Sequence, residues 1–385
     1  MRTVTLGDVA EWGSGGTPAR GVPSYFGQGM PWLSITDLND GVVTNAKESL
    51  TAAGLANSSA KVVPRGTIFV AMYGSIGKLG IAATDMATSQ AIAFARPNEK
   101  LVDRRFLFQY LLAERRNLQS RGRGGTQMNI SQADLKAWPM PLPPLPEQRR
   151  IAAILDLADA LRGKRRQVLA HLDALTQSTF HDMFGSLEWL DEFGSIIVSG
   201  PTNGLYRPSS DYGTGAPILR IDGFTSGATL SGCERWKRLR VDESELRRFA
   251  LAPGDIVINR VNALSHLGKS ALVTALTEPS VFESNMMRVQ VDTDRARPEF
   301  VLAWLQTERA RQQILRKAKK AINQASINQT DVRSLLLPLP PIELQRNFST
   351  RVDRVLAQRG VAEQALAADD ELFASLQARA FDGRL

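Results

Sequence analysis

The chain carries one long unit twice, and this duplication limits what it can fold into. Pro141-Leu142-Pro143-Pro144-Leu145 is followed by Gln148-Arg149 and a long helical pattern. Pro338-Leu339-Pro340-Pro341-Ile342 is followed by Gln345-Arg346 and a second such pattern. Pro143 and Pro340 give an offset of 197 residues (340 − 143). The same offset carries Ile130 to Ile327, Asp134 to Asp331, Leu135 to Val332, Lys136 to Arg333, Ser178 to Ser375 and Phe184 to Phe381. A chain duplicated in this way presents two similar sites, which suits a ligand that is itself bipartite.

The segments before the two proline-rich stretches also correspond, at slightly shifting offsets. Pro31-Trp32-Leu33-Ser34-Ile35 is answered by Pro217-Ile218-Leu219-Arg220-Ile221, and Arg65-Gly66-Thr67-Ile68-Phe69-Val70 by Pro253-Gly254-Asp255-Ile256-Val257-Ile258. Gly77-Lys78 is answered by Gly268-Lys269, and Phe106 to Leu111 by Phe300 to Leu305. Short β-rich runs punctuated by Gly, Pro and Asn predict strands joined by turns, and a helix is expected from about Asp103 to Leu118. The expected organisation is a first mixed α/β domain over 1–140, a hinge and long helix over 141–185, a second α/β domain over 186–337, and a hinge and long helix over 338–385.

In the first long helix Ile154, Ala158, Leu161, Arg165, Val168, Leu172, Leu175 and Thr179 alternate by four and three. In the second, Phe348, Val352, Val355, Arg359, Ala362, Leu366, Asp369, Phe373, Leu376 and Ala380 do the same. This is the spacing of a coiled-coil seam, so the simplest assembly pairs the two helices with each other, antiparallel. The fold class is α+β: two mixed α/β domains in pseudo-two-fold arrangement, separated by a rigid pair of long helices. Gly163 and Gly360 match across the repeat, and their recurrence suggests close backbone approach; the alternative is a tolerated surface glycine.

The 385 residues contain 47 Lys+Arg against 39 Asp+Glu, a formal +8, which favours an anionic partner, nucleic acid first and an acidic protein surface second. One cysteine and three histidines leave no basis for a disulfide and little for a zinc site. No stretch approaches the roughly 20 apolar residues of a membrane helix and no signal-peptide run opens the chain, which points to the cytoplasm. No catalytic constellation stands out. Gly268-Lys269-Ser270 has Ala263 where a phosphate-binding loop needs glycine, and Gly77-Lys78 is followed by Leu79 rather than Ser or Thr.

Basic residues recur in equivalent places. Arg115, Arg116, Arg121 and Arg123 precede the polar run Gly125-Thr126-Gln127-Met128-Asn129. Arg309, Arg311, Arg316, Lys317, Lys319 and Lys320 precede Asn323-Gln324-Ala325-Ser326. Arg and Lys suit phosphates, while Asn, Gln and Arg suit base edges. A second pair of segments, Tyr73 to Lys78 and Arg260 to Lys269, follows a predicted strand in each half and ends in Gly-Lys. Glycine permits close approach to a groove and lysine suits a phosphate; the alternative is an ordinary turn. The expected DNA contacts are Tyr73, Ser75, Lys78, Gln90, Arg121, Arg123, Thr126 and Gln127 in the first half. In the second they are Arg220, Arg260, Asn262, Ser265, His266, Lys269, Lys319, Lys320, Asn323 and Gln324.

The two α/β halves, each ending in a Pro-rich stretch before a long helix, resemble the specificity subunit of a type I restriction-modification system. The likeness rests on Asn129-Ile130-Ser131 through Asp134-Leu135 and on Pro141 through Gln148. It rests also on Gly15-Gly16-Thr17-Pro18 followed by Pro31-Trp32-Leu33. The second stretch departs from the pattern, with no proline before Glu343, and the second half lacks the Gly-Gly-Thr-Pro opening. The resemblance implies a subunit without catalytic activity, with two target-recognition domains that each read half of an asymmetric double-stranded DNA site. It also implies two methyltransferase and two restriction/translocase partners, with S-adenosylmethionine, ATP and magnesium held there and no cofactor or metal on this chain. Arg149, Arg150, Arg162, Lys164 and Arg166 are the expected partner-docking residues. The competing reading is a coiled-coil scaffold with basic patches and no sequence preference.

Overall fold

The computed structural model describes residues 2–124, 128–187, 190–322 and 324–385. It divides into two compact units, Met1–Arg166 with Ala365–Leu385, and Gln167–Gln364.

Unit 1 is built on a five-stranded sheet of β1 (Ala10–Ser14), β2 (Val42–Val43), β3 (Ile68–Ala71), β4 (Leu79–Ala82) and β5 (Ile92–Pro97), in the order β1-β5-β3-β4-β2. All pairs are antiparallel except β2 with β4. The sheet is buried on both faces, so β3 reads as an unbroken apolar run rather than an alternating one. Residues 68 and 70 face one core cluster and residues 69 and 71 another. A smaller sheet uses Phe26–Leu33, which pairs antiparallel with Glu48–Leu50 and parallel with Met86–Thr88.

Unit 2 repeats this plan. Its five strands are β6 (Ile197–Asn203), β7 (Ala228–Ser231), β8 (Ile256–Asn259), β9 (Ser270–Ala275) and β10 (Met286–Val291), in the order β6-β10-β8-β9-β7. The single parallel pair is again the last, β7 with β9. Tyr212–Leu219 pairs antiparallel with Lys237–Leu239 and parallel with Val281–Phe282, matching the smaller sheet of unit 1.

The glycines of Gly15-Gly16-Thr17-Pro18 have a packing reason. A Cβ on Gly15 would lie 1.9 Å from the Thr88 carbonyl oxygen, and one on Gly16 would lie 2.2 Å from Ser59 Oγ. The helix expected over 103–118 is two helices, Arg104–Ala113 and Arg115–Ser120, meeting at Glu114; Asp103 caps the first, its carboxylate accepting from the Arg105 and Phe106 N–H groups.

The proline-rich stretches are ordered connections. Pro139–Leu142 pairs antiparallel with Arg2–Thr5, and Leu336–Leu337 with Asp191–Glu192. Two-stranded ribbons tolerate proline because its missing N–H can face outward. The long helices Leu145–Phe184 and Ile342–Phe381 then begin at once. Each is pinned in its first turn by a fully buried glutamine. Gln148 Oε1 accepts from the Asp103 N–H (2.7 Å), and its Nε2 donates to the carbonyls of Leu101 (3.0 Å) and Pro143 (2.8 Å). Gln345 does the same with Arg297 N–H (2.9 Å) and the carbonyls of Arg295 (3.0 Å) and Pro340 (2.8 Å).

Within each unit the two long helices run antiparallel, and one ion pair recurs in both units with the roles exchanged. In unit 1 Arg162 of the first helix meets Asp370 of the second at 2.5 Å. In unit 2 Arg359 of the second meets Asp173 of the first at 2.9 Å. Both members are related by 197 residues (359 − 162 and 370 − 173). Aromatic packing follows the same exchange: Phe381 packs on Phe106 (5.6 Å between ring centres) and Phe184 on Phe300 (5.0 Å).

The seam expected on the second helix is buried or half-buried at every position. On the first helix, Leu161, Val168 and Leu175 lie outward, 41–45% exposed. Their places are taken by Arg162, Leu169 and Thr176, one residue on, because the apolar residues of this helix fit two adjacent faces. The close approach expected at Gly163 and Gly360 does not occur: a Cβ at either meets nothing within 4 Å among the described residues. Two predictions follow from this packing. Gly163→Ala and Gly360→Ala should each stabilise the protein by about 0.5–1 kcal/mol in urea denaturation, since only helix propensity and chain entropy change. Gln148→Leu should cost roughly 2–3 kcal/mol by the same measurement, because three backbone groups lose their partner at once.

Candidate nucleic-acid interface

The expected contact segments, far apart in sequence, converge in each unit. In unit 1 the chain leaves β3 through Met72, whose carbonyl accepts from the Ile130 N–H (2.9 Å). Tyr73 bridges Asn129, and Asn129 exchanges both backbone hydrogen bonds with Arg123 (2.8 and 2.9 Å). The loop after β3, the basic segment at Arg123 and the polar segment at Asn129 therefore form one surface. Tyr73, Ser75, Arg121 and Arg123 are exposed on it, and Arg121 stacks over Trp138 at 5.1 Å.

Unit 2 builds the same surface more regularly. The Arg260 carbonyl accepts from the Ile327 N–H (2.9 Å), in the place of Met72 and Ile130. Val261–Asn262 pairs with Ala325–Ser326, which pairs with Lys319–Lys320. Ser265, His266, Lys319, Lys320 and Gln324 are exposed, and Asn262 is half-buried. Thr126, Gln127 and Asn323 lie outside the described residues.

The shared Gly-Lys has a structural duty. Gly77 and Gly268 take positive φ (76° and 77°), and each donates its N–H to the end of the preceding strand, at Ala71 (3.0 Å) and Asn259 (2.9 Å). Lys78 Nζ donates to the Ile35 carbonyl (3.4 Å) and Lys269 Nζ to the Ile221 carbonyl (2.9 Å). These are equivalent backbone positions, so each lysine ties its loop to the segment just after a strand of the smaller sheet. Lys269 also lies 4.3 Å from the centre of the Phe224 ring, and burial holds its ammonium below the usual lysine range while Asp222 opposes that shift. One of its three donors is thereby committed; Lys319 and Lys320 are the more open cations.

Other predicted residues are also engaged internally. Gln90 Oε1 accepts from the Thr17 hydroxyl. Arg260 donates to the Ser284 carbonyl (3.0 Å). Arg220 lies between Asp222 (3.7 Å) and Glu283 (3.5 Å). Arg115, from the same basic run as Arg121, is held by Asp40 and donates to the Gly77 carbonyl (2.8 Å), buttressing the loop rather than facing out. Asp40 has φ of 60°, and its carboxylate also accepts from the Leu79 N–H (2.9 Å). Nothing in the spacing of Asp40 and Arg115 signals that pairing.

Among the expected docking residues, Arg149 and Lys164 are exposed. Arg150 binds Glu147 (2.7 Å) and the Leu385 carbonyl (2.7 Å). Arg162 and Arg166 reach Asp370 (2.5 and 3.2 Å), and Arg162 also covers the Phe373 ring at 4.2 Å. Among the described residues no group of three or more His, Cys, Asp or Glu is placed to hold a metal, and no helix is long and apolar enough to cross a membrane.

Residues 1–171 match the family model of the type I restriction modification DNA specificity domain. The chain is also 25% identical to the EcoKI specificity subunit of Escherichia coli K12, over 92% of this chain and 82% of that protein. The chain is similar, over most of its length, to the specificity subunits of type I restriction-modification systems. The StySPI specificity subunit of Salmonella potsdam is a relative of similar distance, 24% identical over the same shares. Two solved structures share this fold. The type I S subunit from M. genitalium has a TM-score of 0.57 at 14% identity, covering 99% of this chain and 96% of that one. A chain from a study of complex assembly and conformational transition in the type I system has 0.62 at 19%, covering 100% and 98%.

Glu283 gives this surface a pH signature. The residue is 8% exposed, and burial raises its carboxyl above the usual carboxylate range against the Ile221 N–H and Arg220, which lower it, while Asp222 raises it further. With the folded value above the unfolded one, the group favours folding fully below about pH 4.3, and that contribution is lost as pH rises through the folded value. Glu283→Gln removes this titration, so the stability difference between variant and parent should change with pH across that window and be constant well above it. A pH series of thermal melts reads this; a pH-independent difference would show that Glu283 titrates normally.

Proposed function

We propose that this chain is the DNA-reading subunit of a type I restriction-modification complex, without catalysis of its own. The observation that carries the reading is the surface built twice on one backbone plan with different side chains. The loop after β3 and the loop after β8 both leave the sheet through a carbonyl that accepts from an isoleucine N–H, Ile130 or Ile327, yet one presents Tyr73 and Ser75 and the other Asn262, Ser265 and His266. A frame kept constant beneath differing polar surfaces fits two readers of two different half-sites of one double-stranded target. The recognition domains then comprise residues 1–140 and 186–337. Tyr73, Ser75, Arg121 and Arg123 act in the first, with Thr126 and Gln127; Asn262, Ser265, His266, Lys319, Lys320 and Gln324 act in the second, with Asn323. Lys78, Gln90, Arg220, Arg260 and Lys269 shape the loops and add contacts through their remaining donors.

Methyl transfer and cleavage reside on partner subunits, proposed as two methyltransferases and two restriction translocases, which hold S-adenosylmethionine, ATP and magnesium. The complex works in the cytoplasm, where its DNA is. Exposed apolar side chains on the outer side of the first long helix, Leu157 and Leu161 in unit 1 and Val168 and Leu175 in unit 2, support docking there, with Arg149 and Lys164 beside them.

A footprint of the chain with its methyltransferase partner should show two protected blocks, one of them lost on mutation within residues 200–330. A single continuous block indifferent to those mutations would overturn the two-reader model. Random-oligonucleotide selection without any sequence preference would favour the scaffold reading instead. Lys319→Ala and Lys320→Ala should each weaken binding across all sequences and lower the slope of log affinity against log salt by about 1. Lys269→Ala should mainly lower stability, by about 1 kcal/mol, through loss of its carbonyl and ring contacts.

A further inference from the structure

Ile322 is 99% exposed, the most exposed of the large apolar side chains among the described residues. Single apolar residues on surfaces are ordinary, so exposure alone says little. Its placement says more. Ile322 stands in the turn joining Lys319–Lys320 to Ala325–Ser326, a turn closed by the Ala321 N–H donating to the Gln324 carbonyl (2.7 Å). The hairpin is anchored: Ala325 and Ile327 are buried in the core of unit 2, and Ser326 and Ala325 pair with Val261 and Asn262 directly after β8. The turn is therefore delivered by the central sheet, with two exposed lysines on one arm and exposed Gln324 on the other.

We infer that Ile322 is an apolar wedge of unit 2 that enters a base step of the DNA while Lys319 and Lys320 hold the flanking phosphates. The inference rests on the DNA-reading role proposed above. A two-stranded ribbon fits a groove, and branched aliphatic side chains carried between basic residues unstack base steps in groove-binding proteins. Two lysines next to a fully exposed isoleucine would be a poor face for an apolar protein partner and a suitable one for a polyanion whose interior is apolar. The wedge also explains how a surface of lysines and amides gains selectivity at positions it does not hydrogen-bond: flexible pyrimidine–purine steps open most cheaply.

The test uses the chain in complex with its methyltransferase partner and duplexes carrying its methylated site. 2-Aminopurine is placed in turn at each adenine of the half-site read by unit 2, the methylated adenine excluded. The wild-type complex should brighten one position, marking an opened step. Ile322→Ala should abolish that rise and weaken binding roughly tenfold, with the salt slope unchanged; Ile322→Leu should keep both. Persistence of the rise in Ile322→Ala, or unchanged affinity, would overturn the wedge. So would a silent probe combined with loss of affinity when a thymine is replaced by uracil, which would place Ile322 against a methyl group in an intact stack. Absence of sequence-selective binding by the wild-type complex would instead sink the DNA-reading role beneath it.

Discussion

Two buried glutamines set the geometry on which everything else depends. Gln148 and Gln345 each satisfy an N–H and two carbonyls that meet where an α/β body, a proline-rich strand and a long helix converge. A buried amide with three good partners is stable, and one with a missing partner is costly. The arrangement thus tolerates one orientation of helix against body. That orientation lets Phe106 and Phe300 receive the far end of the other long helix, and it carries the loops after β3 and β8 on a fixed base. A proline-rich stretch that looks like a joint in sequence behaves as a weld.

The exchanged ion pairs show how economically the repeat is used. A single arginine and a single aspartate per repeat, placed eleven residues apart (173 − 162), make two interhelical bridges because the helices run antiparallel within each unit. The bridges are part exposed, so each contributes modestly. Their value lies in register: a slip of one helical turn would set Arg162 and Arg359 away from both carboxylates.

Much of this was legible in the sequence, and the failures have physical causes. The 197-residue offset gave the duplicated plan because core positions recur while loops differ. The second helix revealed its seam because the four-three spacing of Phe348, Val352, Phe373 and Ala380 falls on its buried face, although Leu344, Val361 and Leu372 lie exposed off it. The first helix misled at alternate positions because Leu161, Val168 and Leu175 are apolar without being buried. Matched glycines suggested contact, but glycine has no signature separating close packing from open space. The basic runs and polar segments come together on one surface of each unit, yet spacing alone could not reveal that Arg115 is spent on Asp40 or that Gly-Lys ties a loop to a carbonyl. Those partners lie 75 and 43 residues away.

Unit 1 is discontinuous, and this affects how the chain is made. Its helix Arg104–Ala113 is completed by Phe381, which packs against Phe106 and Tyr110 (5.6 and 5.2 Å). Residues 365–385 are synthesised after all of unit 2. Unit 2 is continuous in sequence, whereas unit 1, begun first, lacks residues 365–385 until the end and waits with an apolar face uncovered. The order of birth and the order of completion are reversed. The last two turns of the second helix thereby act as a latch, and until they arrive the nascent protein is most exposed to misassembly at its oldest part.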